Sequence, residues 1–241
     1  MLFGTKQQVD GTDEEALQRL CNDMRKWLGL SSESKAVSAS GGKGIDSSTK
    51  ADSGVVPKVI KSIINGHEYV DLGLPSGLKW ATCNVGASSS EGYGNYYAWG
   101  EIEVKSEYTY ANSKTEGKSM QDISGNSTYD VARSKWGGSW RLPTKKELEE
   151  LKNNCKWEWT TQNGKKGYKV IGPNGKSIFL PAAGYCDGSS LYGAGESGYY
   201  WSSTPIESYV YDAYGLYFGI SYRNVYWSIR DDGRSVRPVS E

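Results

Sequence analysis

Histidine is almost missing from this chain of 241 residues: His67 is the only one, with Glu68 as its neighbouring carboxylate. That excludes a histidine-based triad and a multi-histidine metal site. Net charge is missing too, because 28 Lys+Arg balance 28 Asp+Glu. Without a basic surface there is no expectation of a nucleic-acid or anionic-membrane partner. No apolar run approaches the roughly 20 residues of a spanning helix, so membrane insertion is not expected. The four cysteines, Cys21, Cys83, Cys155 and Cys186, are widely spaced with no CxxC pair. They read as isolated buried thiols, not as a disulfide scaffold or zinc ribbon. Neither GxxxxGK[ST] nor a GxGxxG following a strand occurs, so no phosphate loop or dinucleotide cofactor is assigned. The opening MLFGTKQQVDGTDEE lacks the basic-then-apolar layout of a secretory leader and the cysteine of a lipoprotein anchor.

What is abundant is aromatic and small: 18 Tyr and 9 Trp against 3 Phe, with 30 Gly. Tyr and Trp carry a polar handle on a large apolar body and suit surfaces that are adhesive yet wet. Glycine at this level implies turns and short strands. Composition divides the chain into three parts. In residues 1–30, Ala16, Leu17, Leu20, Met24, Trp27 and Leu28 recur at helical spacing, with Thr12 as N-cap, Glu15 three residues on and Gly29 as a stop. One such helix is marginal alone and is expected to dock on the rest of the chain, on a copy of itself, or on another protein. Residues 31–58 are rich in Ser and Gly and read as a linker.

Residues 59–241 read as a strand-rich α+β domain. Strands are expected at 67–72 and 79–83, and a hairpin at 167–171 and 177–180 around Gly172-Pro173-Asn174-Gly175. One helix is expected at 144–154, where Thr144 and Glu147 form a capping box and Leu148 and Leu151 a buried stripe. Trp80, Trp99, Trp136, Trp140 and Trp201 are expected core anchors, and Arg141, Arg234 and Arg237 structural partners of buried groups.

Six strings carry a resemblance: DLGLPSGLKWATCNVGA (71–87), YYAWGE (96–101), WGGSWRLPTKKELEEL (136–151), GYKVIGPNGKSIFLPAAGY (167–185), YYWSST (199–204) and GRSVRPV (233–239). In order and spacing they resemble the Fibrobacter succinogenes major paralogous domain, which is similar to the C-type-lectin-like fold of formylglycine-generating enzymes and of retroelement-diversified variable proteins. The resemblance implies a ligand-binding face on the C-terminal strands and loops. It does not imply catalysis: the enzymes use a C-terminal cysteine pair, and here only Cys186 follows Cys155. The EPN, QPD and WND strings of calcium-dependent lectins are absent. Asp231-Asp232 is the one adjacent carboxylate pair near that face, and paired loop carboxylates are usually only solvated.

The C-terminal quarter has its own texture. All 20 Lys precede residue 177, whereas 10 of the 18 Tyr lie in 185–241. In YDAYGLYFG (211–219), alternation assigns Tyr214, Leu216 and Phe218 to the core and turns Tyr217 outward. Retroelement diversification of Asn codons cannot produce Trp, Met, Lys, Gln or Glu. These make up 53 of 241 residues overall, but only Trp201, Glu207 and Trp227 within 199–232. On this resemblance the variable ligand-binding positions are Ile206, Tyr209, Val210, Tyr217, Ile220, Tyr222, Arg223, Tyr226, Ser228, Ile229, Asp231 and Asp232. The scaffold is Trp201, Ser202, Ser203, Tyr214, Leu216, Phe218, Trp227, Gly233, Arg234 and Arg237. No catalytic residue, metal ligand or cofactor is assigned.

The expectation is a non-enzymatic receptor-binding protein that recognises a protein or glycan on a cell surface. Residues 12–30 would attach it to a phage tail or bring copies together. It would then be virion-borne and cytoplasmic before assembly, and on the cell surface if a leader is encoded upstream. The alternatives are a fixed cell-envelope adhesin and, further off, a formylglycine-generating-type enzyme.

Overall fold

The computed structural model describes residues 62–241, so the expected helix at 12–30 and the linker at 31–58 lie outside the described residues. The described part is strand-rich α+β. β1 (Ile63–Ile64), β2 (His67–Asp71), β3 (Lys79–Ala81) and the final strand β12 (Val239–Ser240) form an antiparallel sheet in the order β1-β2-β3-β12. The end of the domain thus closes against its beginning.

Two short helices follow. α1 (Val131–Trp136) starts at Asp130, whose carboxylate accepts from the Ala132 and Arg133 amides. α2 (Lys145–Asn154) starts at Thr144, where the expected capping box with Glu147 is present. The sequence reading contains only α2. Six residues hold too little periodicity to register, and α1 exists because Asp130, fully buried, also accepts from Gly125 and Leu142.

β4 (Lys156–Gln162), β5 (Lys165–Ile171) and β6 (Ser177–Pro181) form one three-stranded antiparallel sheet, its second hairpin closed by Gly175 N–H donating to the Gly172 carbonyl. β7 (Tyr185–Asp187) and β8 (Ser190–Tyr192) form a small hairpin. β9 (Ser197–Pro205), β10 (Asp212–Gly219) and β11 (Tyr222–Ile229) make the other three-stranded sheet, in the order β11-β10-β9.

Two apolar clusters support these sheets. One gathers Leu148 and Leu151 of α2 with Val170, Leu180, Leu216 and Phe218. The other gathers Trp99, Trp136, Trp140 and Trp201 with Val131 and Ala213. The five expected tryptophan anchors are all buried. The expected arginines are structural as well. Arg141 makes a two-pronged pair with Glu147 at 2.8 and 2.9 Å. Arg237, fully buried, donates to Asn84 Oδ1 and to the carbonyls of Ala81, Thr82 and Phe179, tying β3 to β6. His67 is half-buried: its ring stacks on Trp136 at 3.7 Å, and burial lowers its pKa.

Candidate ligand-binding face

β10 carries the central alternation. Leu216 and Phe218 are buried in the α2 cluster, as expected, whereas Tyr214, expected with them, is only half-buried and belongs to neither cluster, with Lys145 Nζ 4.0 Å above its ring. Between them and their partners on β9 the register shifts at Ala213/Gly215. Alternation along the strand puts Ala213 in the tryptophan cluster and Leu216 with α2, on opposite faces.

On β11, Tyr222 stands opposite Gly219 and Tyr226 opposite Gly215, so each large ring has a glycine across the strand. Cross-strand glycine leaves room for an aromatic to lie over the backbone. At Gly219 the fit is tight enough that a Cβ would come 2.6 Å from the Tyr222 ring. Val225 opposite Leu216 fills the core, and Arg223 opposite Phe218 lies over the Trp157 ring at 5.6 Å.

The twelve expected positions therefore do not form one plane. Tyr209, Ile220, Tyr222, Arg223 and Tyr226 are exposed, with Ile220 at the hairpin tip the most open at 67%. Ile206, Val210, Tyr217, Ser228, Ile229 and Asp231 are half-buried. Asp232 is placed inside, where Arg234 Nη2 donates to it at 2.7 Å. Tyr217, Tyr222, Tyr226 and Ser228 share one alternation, whereas Arg223 and Ile229 fall on the other. Among the described residues, no group of three His, Cys, Asp or Glu is placed to hold a metal ion.

Tertiary pairing adds residues that the sequence reading passed over. Tyr192, Tyr185, Tyr199, Tyr217 and Tyr222 form an unbroken row, with consecutive ring centres 5.7, 4.7, 4.6 and 4.8 Å apart. The row crosses β8, β7, β9 and β10 to the start of β11. Tyr217 and Tyr222 join through their hydroxyls at 2.5 Å, and burial of Tyr217 raises its pKa. The Arg234 guanidinium lies 5.1 Å from the Tyr199 ring and 4.6 Å from Trp201. It supports the row from within. A second group joins Tyr110, which lies in a 3-10 turn (Tyr110–Asn112), to Tyr211 and Tyr209 at 6.2 and 5.3 Å. The only available signal was the richness in Tyr; which tyrosines meet depends on strand order.

Arg230 holds this region together. Its fully buried side chain donates to the carbonyls of Asp212, Thr115 and Lys118 and lies 4.5 Å from the Trp99 ring. Beside it Asp212 is buried, which pushes its carboxyl up to about 6 despite Arg234 and Arg230. A cavity of about 640 Å³ opens elsewhere, between His67, Cys83, Ser88–Ser90, Lys169 and Phe179. None of the twelve positions lines it. Burial raises the Cys83 thiol there, which disfavours the reactive thiolate.

A family model described as Domain of unknown function (DUF8237) matches residues 141–239. Comparison with curated proteins and with solved structures finds no match. The likeness to that family covers α2, both three-stranded sheets and all twelve expected positions, and stops short of Tyr110.

Proposed function

We propose that the domain is a non-enzymatic ligand-binding module with a C-type-lectin-like fold, whose β9–β11 sheet and adjoining loops capture a protein or glycan on a cell surface. One observation carries this reading. Tyr209, Tyr211, Tyr222 and Tyr226, together with Ile220 and Tyr110, are exposed around one sheet that holds no lysine. Exposed rings gathered on one sheet are uncommon on a solitary surface, and tyrosine gives large contact area for little rotamer entropy. The resemblance to retroelement-diversified proteins supports a variable version of this face on a phage-tail component. A fixed adhesin is the competing reading.

Two measurements test it. Sequencing this gene across a population of its source should show substitutions concentrated at the exposed positions of 206–231, in codons ending in C or T. If 199–232 varies no more than 66–198, the diversified reading falls and the fixed adhesin takes its place. Separately, the full chain should be screened on glycan arrays and intact bacterial cells beside a Tyr209→Ser, Tyr222→Ser, Tyr226→Ser variant. Equal capture by both proteins would remove the face from the account.

A further inference from the structure

The sheet of β9, β10 and β11 has one closed edge and one bare edge. Along its outer side β9 is tied down: Trp201 N–H donates to the Ser235 carbonyl, the Tyr199 and Ser197 carbonyls accept from Ser235 and Gly184, and Ser203 N–H donates to the Pro143 carbonyl. At the other edge, the ladder with β10 sets which groups of β11 point outward. Arg230 N–H donates to the Tyr211 carbonyl, so bonded pairs recur at every second position, through Ala213–Ser228, Gly215–Tyr226, Tyr217–Asn224 and Gly219–Tyr222. The main-chain groups of Arg223, Val225, Trp227 and Ile229 therefore point away from β10. Of these groups, only the Val225 N–H has a hydrogen-bond partner among the described residues, Asn224 Oδ1 at 2.9 Å.

Edge strands usually carry a device against pairing: a Lys, a Pro, a bulge or a covering segment. β4, at the edge of the other sheet, carries Lys156 and Glu158. β11 reads YRNVYWSI, rich in strand-forming residues, with no Lys, Pro or Gly, and it pairs with β10 residue for residue without a bulge. Its single charge, Arg223, is drawn back over Trp157 of its own domain. α2 packs with Leu216, Phe218 and Val225 on the inner face of the sheet, and its Lys152 Nζ reaches Asn224 Oδ1 at 3.4 Å.

We propose that this bare edge is an interface between two copies of the chain, in which β11 pairs antiparallel with the partner's β11 and joins two three-stranded sheets into one. The strand matches itself. A two-fold axis pairs residues whose numbers have a constant sum, and only an axis at Tyr226 matches all four outward residues with one another: Arg223 with the partner's Ile229, and Val225 with the partner's Trp227. Every outward N–H then meets a carbonyl, Val225 exchanging Asn224 Oδ1 for the partner's Trp227. Tyr226 stands opposite the partner's Tyr226 in a non-bonded pair, where side chains come closest and aromatic pairs are favoured. No like charges oppose each other. Because Tyr222 and Tyr226 share one alternation, the aromatic faces of the two copies would merge.

The full chain tests the pairing without any ligand, so a face that captures nothing would sink the binding reading and leave this result untouched. Sedimentation velocity should show a dimer at about 100 μM. Ile229→Pro removes an outward N–H and spares the β10 ladder, as edge prolines do, and should weaken association about tenfold or more. Tyr226→Cys, at an exposed position, should oxidise to a covalent dimer, because non-bonded cross-strand Cα atoms about 4.5 Å apart suit a disulfide. Asn224→Cys, placed opposite the partner's Ser228, should not, nor should the wild type with its own cysteines. That contrast keeps the test open if Ile229→Pro does not fold. A wild type that stays monomeric at that concentration overturns the pairing and leaves the edge to a strand of another protein. So does a dimer that Ile229→Pro leaves equally tight, or equal cross-linking of Tyr226→Cys and Asn224→Cys, either of which puts the contact elsewhere.

Discussion

The β4–β5–β6 and β9–β10–β11 sheets are built alike and finished differently. Each has three antiparallel strands, and each lays apolar residues against α2: Val170 and Leu180 from one, Leu216 and Phe218 from the other. Outward, the first sheet presents Lys156, Glu158, Lys165 and Lys169. The second presents Tyr222, Asn224 and Tyr226. A lysine keeps a strongly hydrated head in water and resists being covered. A tyrosine ring gives up its water at little cost and keeps a hydroxyl for hydrogen bonding. On the proposed reading, the contrast separates a solvated sheet from one that a ligand would cover.

The comparison can be broken most severely from the side the two sheets share. Phe218→Ala removes a fully buried ring that packs on Tyr168, Trp157 and Tyr200, and should cost about 3–5 kcal/mol, read from the denaturant midpoint. Both sheets should loosen together. A smaller break comes from Gly198→Ala, whose Cβ would fall 2.2 Å from the same ring. Overpacking there should cost about 1–3 kcal/mol and shift β9 against β10. Near-neutral stability would mean that the ring can move aside. The least effect on folding, and the sharpest on function, is expected from exchanging the two finishes. Tyr226→Lys and Lys169→Tyr should each change stability by no more than about 0.5 kcal/mol, since both positions are exposed. Only Tyr226→Lys should weaken cell or glycan capture, by about tenfold or more, because truncating an aromatic contact typically costs over about 1 kcal/mol. Loss of capture from Lys169→Tyr would shift attention to the other sheet.

Much of this is legible in the chain because it is local. The α2 capping box needs only Thr144 and Glu147 three residues apart, and the hairpin of β5 and β6 needs only the turn at Gly172–Gly175 between two apolar runs. Alternation along 211–219 was enough to send Leu216 and Phe218 inward. The placement of Asp232 was not legible, because what draws it inside is Arg234, whose own position depends on the Tyr199 and Trp201 rings of another strand. Nor was α1, whose cap is anchored by amides at Gly125 and Leu142 on either side of it.

By itself, then, the amino-acid sequence determined the class of the domain, its alternating faces, its buried tryptophans and arginines, and a C-terminal quarter rich in Tyr and empty of Lys. These follow from period, turn chemistry and composition, which act over a few residues. Only the tertiary structure decided which tyrosines stand in one row and that Arg230 binds segments more than a hundred positions apart. Those relations depend on strand order and register. A strand's side chains are set by its own alternation, but its neighbours are chosen by the burial and hydrogen bonding of the whole sheet.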